Sequence, residues 1–99
     1  MLVRFNAPLW EWQAKAAWFF LTLPVEESGM IRMAANAGGK ARGFGSVRVK
    51  ATIGATSWNT SIFPDKKSGT YLLPVKAEVR KAEGFSVGDA VEVSLRFDL

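Results

Sequence analysis

The residues with chemistry to offer cluster in the middle of the chain. Lys40 and Arg42 lie in the glycine-rich stretch NAGGKARGFG, and Arg48 and Lys50 alternate with apolar residues in VRVKATI just beyond it. Cations converging on one strand face and its entry would hold an anion, helped by the amides of a glycine nest. The competing reading is a solvated surface. GFGSVR contains Gly-x-Gly, but it precedes a strand and lacks a third glycine, so it does not read as a dinucleotide fingerprint. Downstream, SWNTSIFP sets Trp58, Asn59, Thr60 and Ser61 in a run unusually polar for a central strand. These side chains either line a small ligand site beside Trp58 or hydrogen-bond backbone at a corner of the sheet. Asn59-Thr60-Ser61 also spells a glycosylation sequon, read as accidental because MLVRFNAPLWEW does not resemble a secretory leader. Arg80 either meets a ligand or pairs with Asp89 across a helix–turn junction. Trp10, Trp12, Trp18 and Trp58 either form an aromatic platform for a sugar or base, or fill and shield a sheet.

Other chemistry is excluded by composition. With no histidine and no cysteine, Ser-His-Asp and Cys-His arrangements cannot be built, and the usual zinc ligands are missing. No convergent acid–base pair stands out. The expectation is therefore a non-enzymatic protein with no catalytic residues, no metal and no cofactor. The net charge of +4 permits attraction to nucleic acid or acidic surfaces, but the basic residues read as spread over loops and several faces. No apolar run approaches the roughly 18 residues of a membrane span.

These residues must be positioned by short elements. The length of 99 residues, with 48% apolar, suits one globular domain over 1–99. Period-two alternation puts Val3, Phe5, Ala7 and Leu9 on one strand face, with Pro8 arguing for an edge or a bulge. In AAWFFLTL both faces are apolar, Ala17, Phe19, Leu21 and Leu23 against Trp18 and Phe20, which predicts a strand covered on both sides. A short helix follows Pro24, with Glu26 and Glu27 in its first turn and Met30, Ile31 and Ala34 on its apolar face. VRVKATI turns at Gly54-Ala55 into SWNTSIF, stopped by Pro64; DKKSG is a hairpin loop and TYLL a short strand. VKAEVRKAEG predicts a helix from Pro74 to a Gly84 C-cap, with Val75, Val79 and Ala82 on its apolar face. Phe85 and Val87 return to the core, and Val91, Val93, Leu95 and Phe97 face inward in the last strand.

Leu-Pro-Val occurs twice, at 23–25 and 73–75. After each copy come a short helix, a glycine-containing turn and an alternating strand. This order predicts two strand-helix-strand units, about 16–54 and 57–98, the first with a loop about six residues longer. Paired within one chain, two such units cover each other's open edges, and a monomer is expected.

The second half resembles the swapped-hairpin domains of bacterial transition-state regulators and antitoxins. Within LPVKAEVRKAEGFSVGDAVEV, Arg80, Gly84 and Gly88-Asp89 keep that signature's spacing, while two extra residues separate Pro74 from Arg80. Over a longer span, RGFGSVRVKATIGATSWNTSIFP with SGTYLLPVKAEVRKAEGFSVGDAVEVSL is similar to a small, mainly bacterial family of domains of unknown function. That resemblance implies a single-chain double-split β-barrel, mainly β (β-rich α+β) with two short helices. It also implies relatives in which the domain sits beside one linked to bacteriocin protection, and it brings no activity. The function expected is a cytoplasmic binding or interaction module of unknown ligand, not membrane-bound. The alternative is weak nucleic-acid binding through a basic barrel face. The candidate binding residues are Lys40, Arg42, Arg48, Lys50, Trp58, Asn59, Ser61 and Arg80.

Overall fold

The computed structural model describes residues 1–13, 17–38 and 45–97. Among them the chain forms β1 (Leu2–Gln13), β2 (Ala17–Thr22), α1 (Val25–Gly38), β3 (Val47–Ile53), β4 (Thr56–Asp65), β5 (Thr70–Pro74), α2 (Ala77–Glu83) and β6 (Ala90–Arg96). The strands close an antiparallel barrel in the order β1-β2-β5-β4-β3-β6. The protein is mainly β, as expected.

Alternation builds the barrel wall. Val3, Phe5, Ala7 and Leu9 on β1, Val47, Val49, Ala51 and Ile53 on β3, and Val91, Val93 and Leu95 on β6 are all buried. Their neighbours Arg4, Asn6, Arg48, Lys50, Glu92 and Arg96 are exposed. Successive side chains leave a strand on opposite faces, so a wall wet on one side only needs this pattern.

The two longest strands each divide between two ladders. β1 pairs with β6 through Leu2–Pro8 and with β2 through Leu9–Gln13. Pro8 therefore marks the changeover, and along Leu2–Pro8 the second side of β1 has no partner strand among the described residues, in keeping with the edge reading. Pro8 has no N–H to give; next to it, the Leu9 amide donates to the Asp89 carbonyl at 3.0 Å and the Gly88 amide to the Leu9 carbonyl at 2.8 Å. β4 pairs with β3 through Thr56–Ile62 and with β5 through Phe63–Asp65, running past Pro64 instead of stopping there. Along Thr56–Ile62 its second edge has no partner strand among the described residues, and α2 packs nearby.

The helices depart from expectation in detail. α1 has Glu26 and Glu27 in its first turn and runs to Gly38, into the stretch expected to be loop. Ser28, Ile31 and Ala35 are its buried positions, whereas Met30 is 48% exposed. The helix docks on β5 through Ser28, and at 3.6 residues per turn a one-position shift rotates the buried face by about 100°. α2 begins after Lys76, not at Pro74, which instead closes β5, and Gly84 caps it at φ 69 with its amide on the Arg80 carbonyl. Val79 is the buried residue of α2; Val75 is buried ahead of the helix and Ala82 is exposed. A helix this short shows one position to the barrel. Phe85 packs on the core, but Val87 is 54% exposed, because the Gly88-Asp89 turn carries it outward.

Candidate functional site

Where β4 lacks a partner strand, a cleft of about 410 Å³ opens between β2, β4 and the start of α2. Trp58 and Thr60 reach it from β4, Trp18 and Phe19 from β2, Lys76 from the N-cap of α2 and Arg80 from its last turn. Arg80 is held from two sides. Its guanidinium lies 3.6 Å from the centroid of the Phe19 ring, and its Nε–H donates to the Val75 carbonyl at 3.3 Å. The terminal nitrogens have no partner among the described residues. Arg80 does not pair with Asp89, whose carboxylate instead accepts the Ser86 amide at 2.8 Å and closes the turn. The cleft thus joins flat apolar walls to a pre-oriented guanidinium, the combination that recognises a planar body bearing an anionic group.

The tryptophans separate into two sets. Trp58 packs on the core and lines the cleft. Trp10 stands opposite Phe20 and Trp12 opposite Trp18 on the outer face of β1 and β2. Phe20 stacks with Trp18 at 6.2 Å and meets Trp10 at 5.2 Å, and the Trp10 indole donates to Thr22 Oγ1 at 2.8 Å. Trp12 and Trp18 are each 53% exposed. β2 is therefore not covered on both sides: its outer face is an open aromatic band, with Trp18 shared between band and cleft. Composition predicted an apolar face correctly but not that the fold would leave it bare.

The outer face of the opposite wall is basic. Lys50 stands directly across from Arg96, Arg48 precedes Lys50 by two residues on β3, and Arg4 lies across from Ser94 on β1. Shallow grooves of about 320 and 260 Å³ run between these side chains. Arg48 donates to the Ser61 hydroxyl at 3.3 Å, which takes Ser61 out of the cleft and into this face. Asn59 borders both regions. The sequence-based candidates thus divide: Trp58, Asn59 and Arg80 meet at the cleft, Arg48, Lys50 and Ser61 on the basic face, and Lys40 and Arg42 lie outside the described residues. Sequence reasoning weighed Trp18 only within an aromatic platform, and it missed Phe19 and Lys76 at the cleft and Arg4 and Arg96 on the basic face. Alternation already pointed Arg96 outward; only the ladder brought it beside Lys50.

Residues 5–95 match the family model described as a domain of unknown function, DUF1905. The chain belongs to the DUF1905 family. A search of curated proteins gave no match. The matched span of this DUF1905 domain starts within β1 and ends within β6, so it takes in the cleft and the aromatic band, and Arg48 and Lys50 of the basic face but not Arg4 or Arg96. Three of the domain's carboxylates are engaged in local structure. Glu83 accepts the Thr56 hydroxyl at 2.6 Å and ties α2 to the β3–β4 hairpin, Asp65 accepts the Ser68 hydroxyl at 2.8 Å, and Asp89 holds its own turn. The Glu83 tie also requires Gly54, with φ +58, because a Cβ there would fall on the Glu83 carboxylate. No helix of the described residues is long and apolar enough to cross a membrane.

Proposed function

We propose that this DUF1905 domain is a non-enzymatic binding module whose cleft takes a small ligand joining a planar apolar body to an anionic group. The observation that carries this reading is Arg80, stacked on Phe19 with no partner for its terminal nitrogens among the described residues, beside a cleft walled by Trp18 and Trp58. A cation ordered in advance spends less entropy on capture than a free side chain. The test is a thermal-shift panel of aromatic carboxylates and nucleoside monophosphates, each beside its neutral analogue. Binding to the native state alone raises apparent stability, by about 2.7 kcal/mol at a hundred times Kd. The anionic members should raise the melting temperature and the neutral ones much less. Arg80→Ala should weaken binding by about 10- to 100-fold, the range of a charge-assisted hydrogen bond. Equal shifts from neutral and anionic members would remove the role assigned to Arg80.

The strand registers support a duplicated, single-chain barrel of the double-split, swapped-hairpin kind. Under the fifty-residue offset of Leu-Pro-Val, Thr22 and Leu72 are equivalent, and they stand directly opposite each other between β2 and β5. On the far wall β3 and β6 are offset by 44 residues, and the equivalent Ala51 and Leu95 are again opposite. Two copies of one unit around a twofold axis would place equivalent residues this way. One further strand belongs to each copy: β1 and β4 each divide between two ladders, so the proposed unit is longer than strand-helix-strand. Since both copies lie in one chain, the barrel closes without a partner, and a monomer in a bacterial cytoplasm is the proposed state. Light scattering at micromolar concentration should give the mass of one chain; a dimer that persists until unfolding would mean that units are exchanged between chains.

A further inference from the structure

We propose that the outer face of the β1–β6–β3–β4 wall binds the phosphate backbone of nucleic acid without regard to sequence. Four exposed cations, Arg4, Arg48, Lys50 and Arg96, share this face. Lys50 and Arg96, directly opposed, are separated by about 5 Å between Cβ atoms, and Arg4 and Arg96, as diagonal neighbours, by about 7–8 Å. Arg48 precedes Lys50 along β3 by two strand rises, about 6.8 Å. The same alternation on β6 places Glu92 on this face, diagonal to Arg4, so the face carries four cations and one acid.

Their lack of counterions points to a ligand. Among the described residues the only ion pair within 4.0 Å is Lys76–Glu78, on α2 and its N-cap. Glu92, the acid on β6, stands opposite Asn6 and pairs with none of the four cations. Like charges directly opposite in a ladder are destabilising, and Lys50–Arg96 is one of only three residue pairs joining β3 to β6. An acidic residue at either position would remove the repulsion. Two cations opposed there suit an anion from outside.

The rest of the face favours a phosphate backbone over bases or lipid. Hydroxyls of Ser94 and Thr52 sit between the cations and can donate to phosphate oxygens. The one aromatic residue lining the grooves, Phe97, is only 3% exposed, so bases have no open ring to stack on, and Leu2 is the one exposed large apolar side chain lining them, too little to enter a bilayer. Arg80 and the aromatic cleft are not used, so this site stands or falls independently of the one proposed above.

The experiment is fluorescence anisotropy with a mixed-sequence DNA duplex, titrated between about 50 and 200 mM salt. Four phosphate contacts at about 0.9 each give a log–log slope near −3.6, a loss of about 100-fold in affinity over that range. Arg48→Ala with Lys50→Ala should flatten the slope by nearly 2 and reduce the loss to about 10-fold. Lys50→Glu separates binding from folding. It creates an opposite-charge pair with Arg96, so the melting temperature should hold or rise while duplex affinity falls at least tenfold. Arg80→Ala should bind duplex like the parent. Failure to bind duplex at about 50 mM salt, or a slope unchanged in both basic-face variants, would overturn the proposal. So would binding to vesicles of anionic phospholipid with none to duplex, which would give the face to a membrane surface instead.

Discussion

Replacing Leu95 with alanine should cost about 2–5 kcal/mol of unfolding free energy, with the result in the upper part of that range. Leu95 is fully buried on β6, opposite Val3 of β1 on one side and Ala51 of β3 on the other. Two effects add: the transfer energy of the lost methyl and methylene groups, and the cavity left where they were. The size of the second depends on how far neighbours can collapse into the gap. Here they have little freedom, because Ala51 is already small and both flanking strands are locked into the closed barrel. A domain of this size is stable by only about 5–15 kcal/mol, so the variant should unfold at a much lower urea concentration with an unchanged slope. Glu92→Ala, three residues away on the wet face, should stay within about 0.5 kcal/mol. If the two variants were equally mild, the register of β6 against β1 and β3 would have to be shifted by one residue.

The second large effect is expected at a polar position. Ser28 is the fully buried hydroxyl of α1. It accepts the Tyr71 amide of β5 at 3.1 Å and donates to the Leu23 carbonyl at 3.4 Å, so it links α1 to the β2–β5 seam. In the same seam the Leu23 amide donates to the Tyr71 carbonyl at 2.9 Å. Ser28→Ala removes little volume but leaves the Tyr71 N–H buried without an acceptor. Such a group costs about 1–3 kcal/mol, more than a typical hydrogen bond contributes when both partners can return to water. Denaturant melts measure the loss, and hydrogen exchange locates it: the Tyr71 amide should lose protection well before the amides of β3 and β6. Ser28→Thr, which keeps the hydroxyl but adds a methyl to a filled site, should cost less if α1 can shift slightly and about as much if it cannot. A silent Ser28→Ala would mean that α1 does not hold this seam together.

How much of this was legible beforehand depended on how local each cause was. Strands wet on one side carry their burial in their own spelling, so the inward residues of β1, β3 and β6 could be read directly, Val93 and Leu95 among them. The Gly84 cap, the Gly54-Ala55 turn and the acids of the first turn of α1 are equally local, being set by backbone sterics and by the helix's own dipole. The exclusions drawn from absent histidine and cysteine also needed only the letters.

Which strands become neighbours has no such local signature. Lys50 faces Arg96, Arg80 lies on Phe19, and Trp12 faces Trp18 beside Phe20; the first two pairs join residues far apart in the chain. Alternation told that Lys50 and Arg96 point outward, but only closure of the barrel made them adjacent, with no ion pair to either among the described residues. The doubly apolar pattern of β2 was compatible with a covering layer or with a bare band, because periodicity records which face a side chain takes and not what lies over it. The helix faces were legible only in part for a related reason: Ile31 and Val79 are buried as read, but docking on the barrel, through Ser28 in α1 and Val79 in α2, sets the rotation that leaves Met30 and Ala82 exposed. Sequence alone determined the inward and outward faces of three strands, since each depends on contacts within a few residues. The cleft and the basic face were decided by tertiary pairing, which depends on register between strands tens of residues apart.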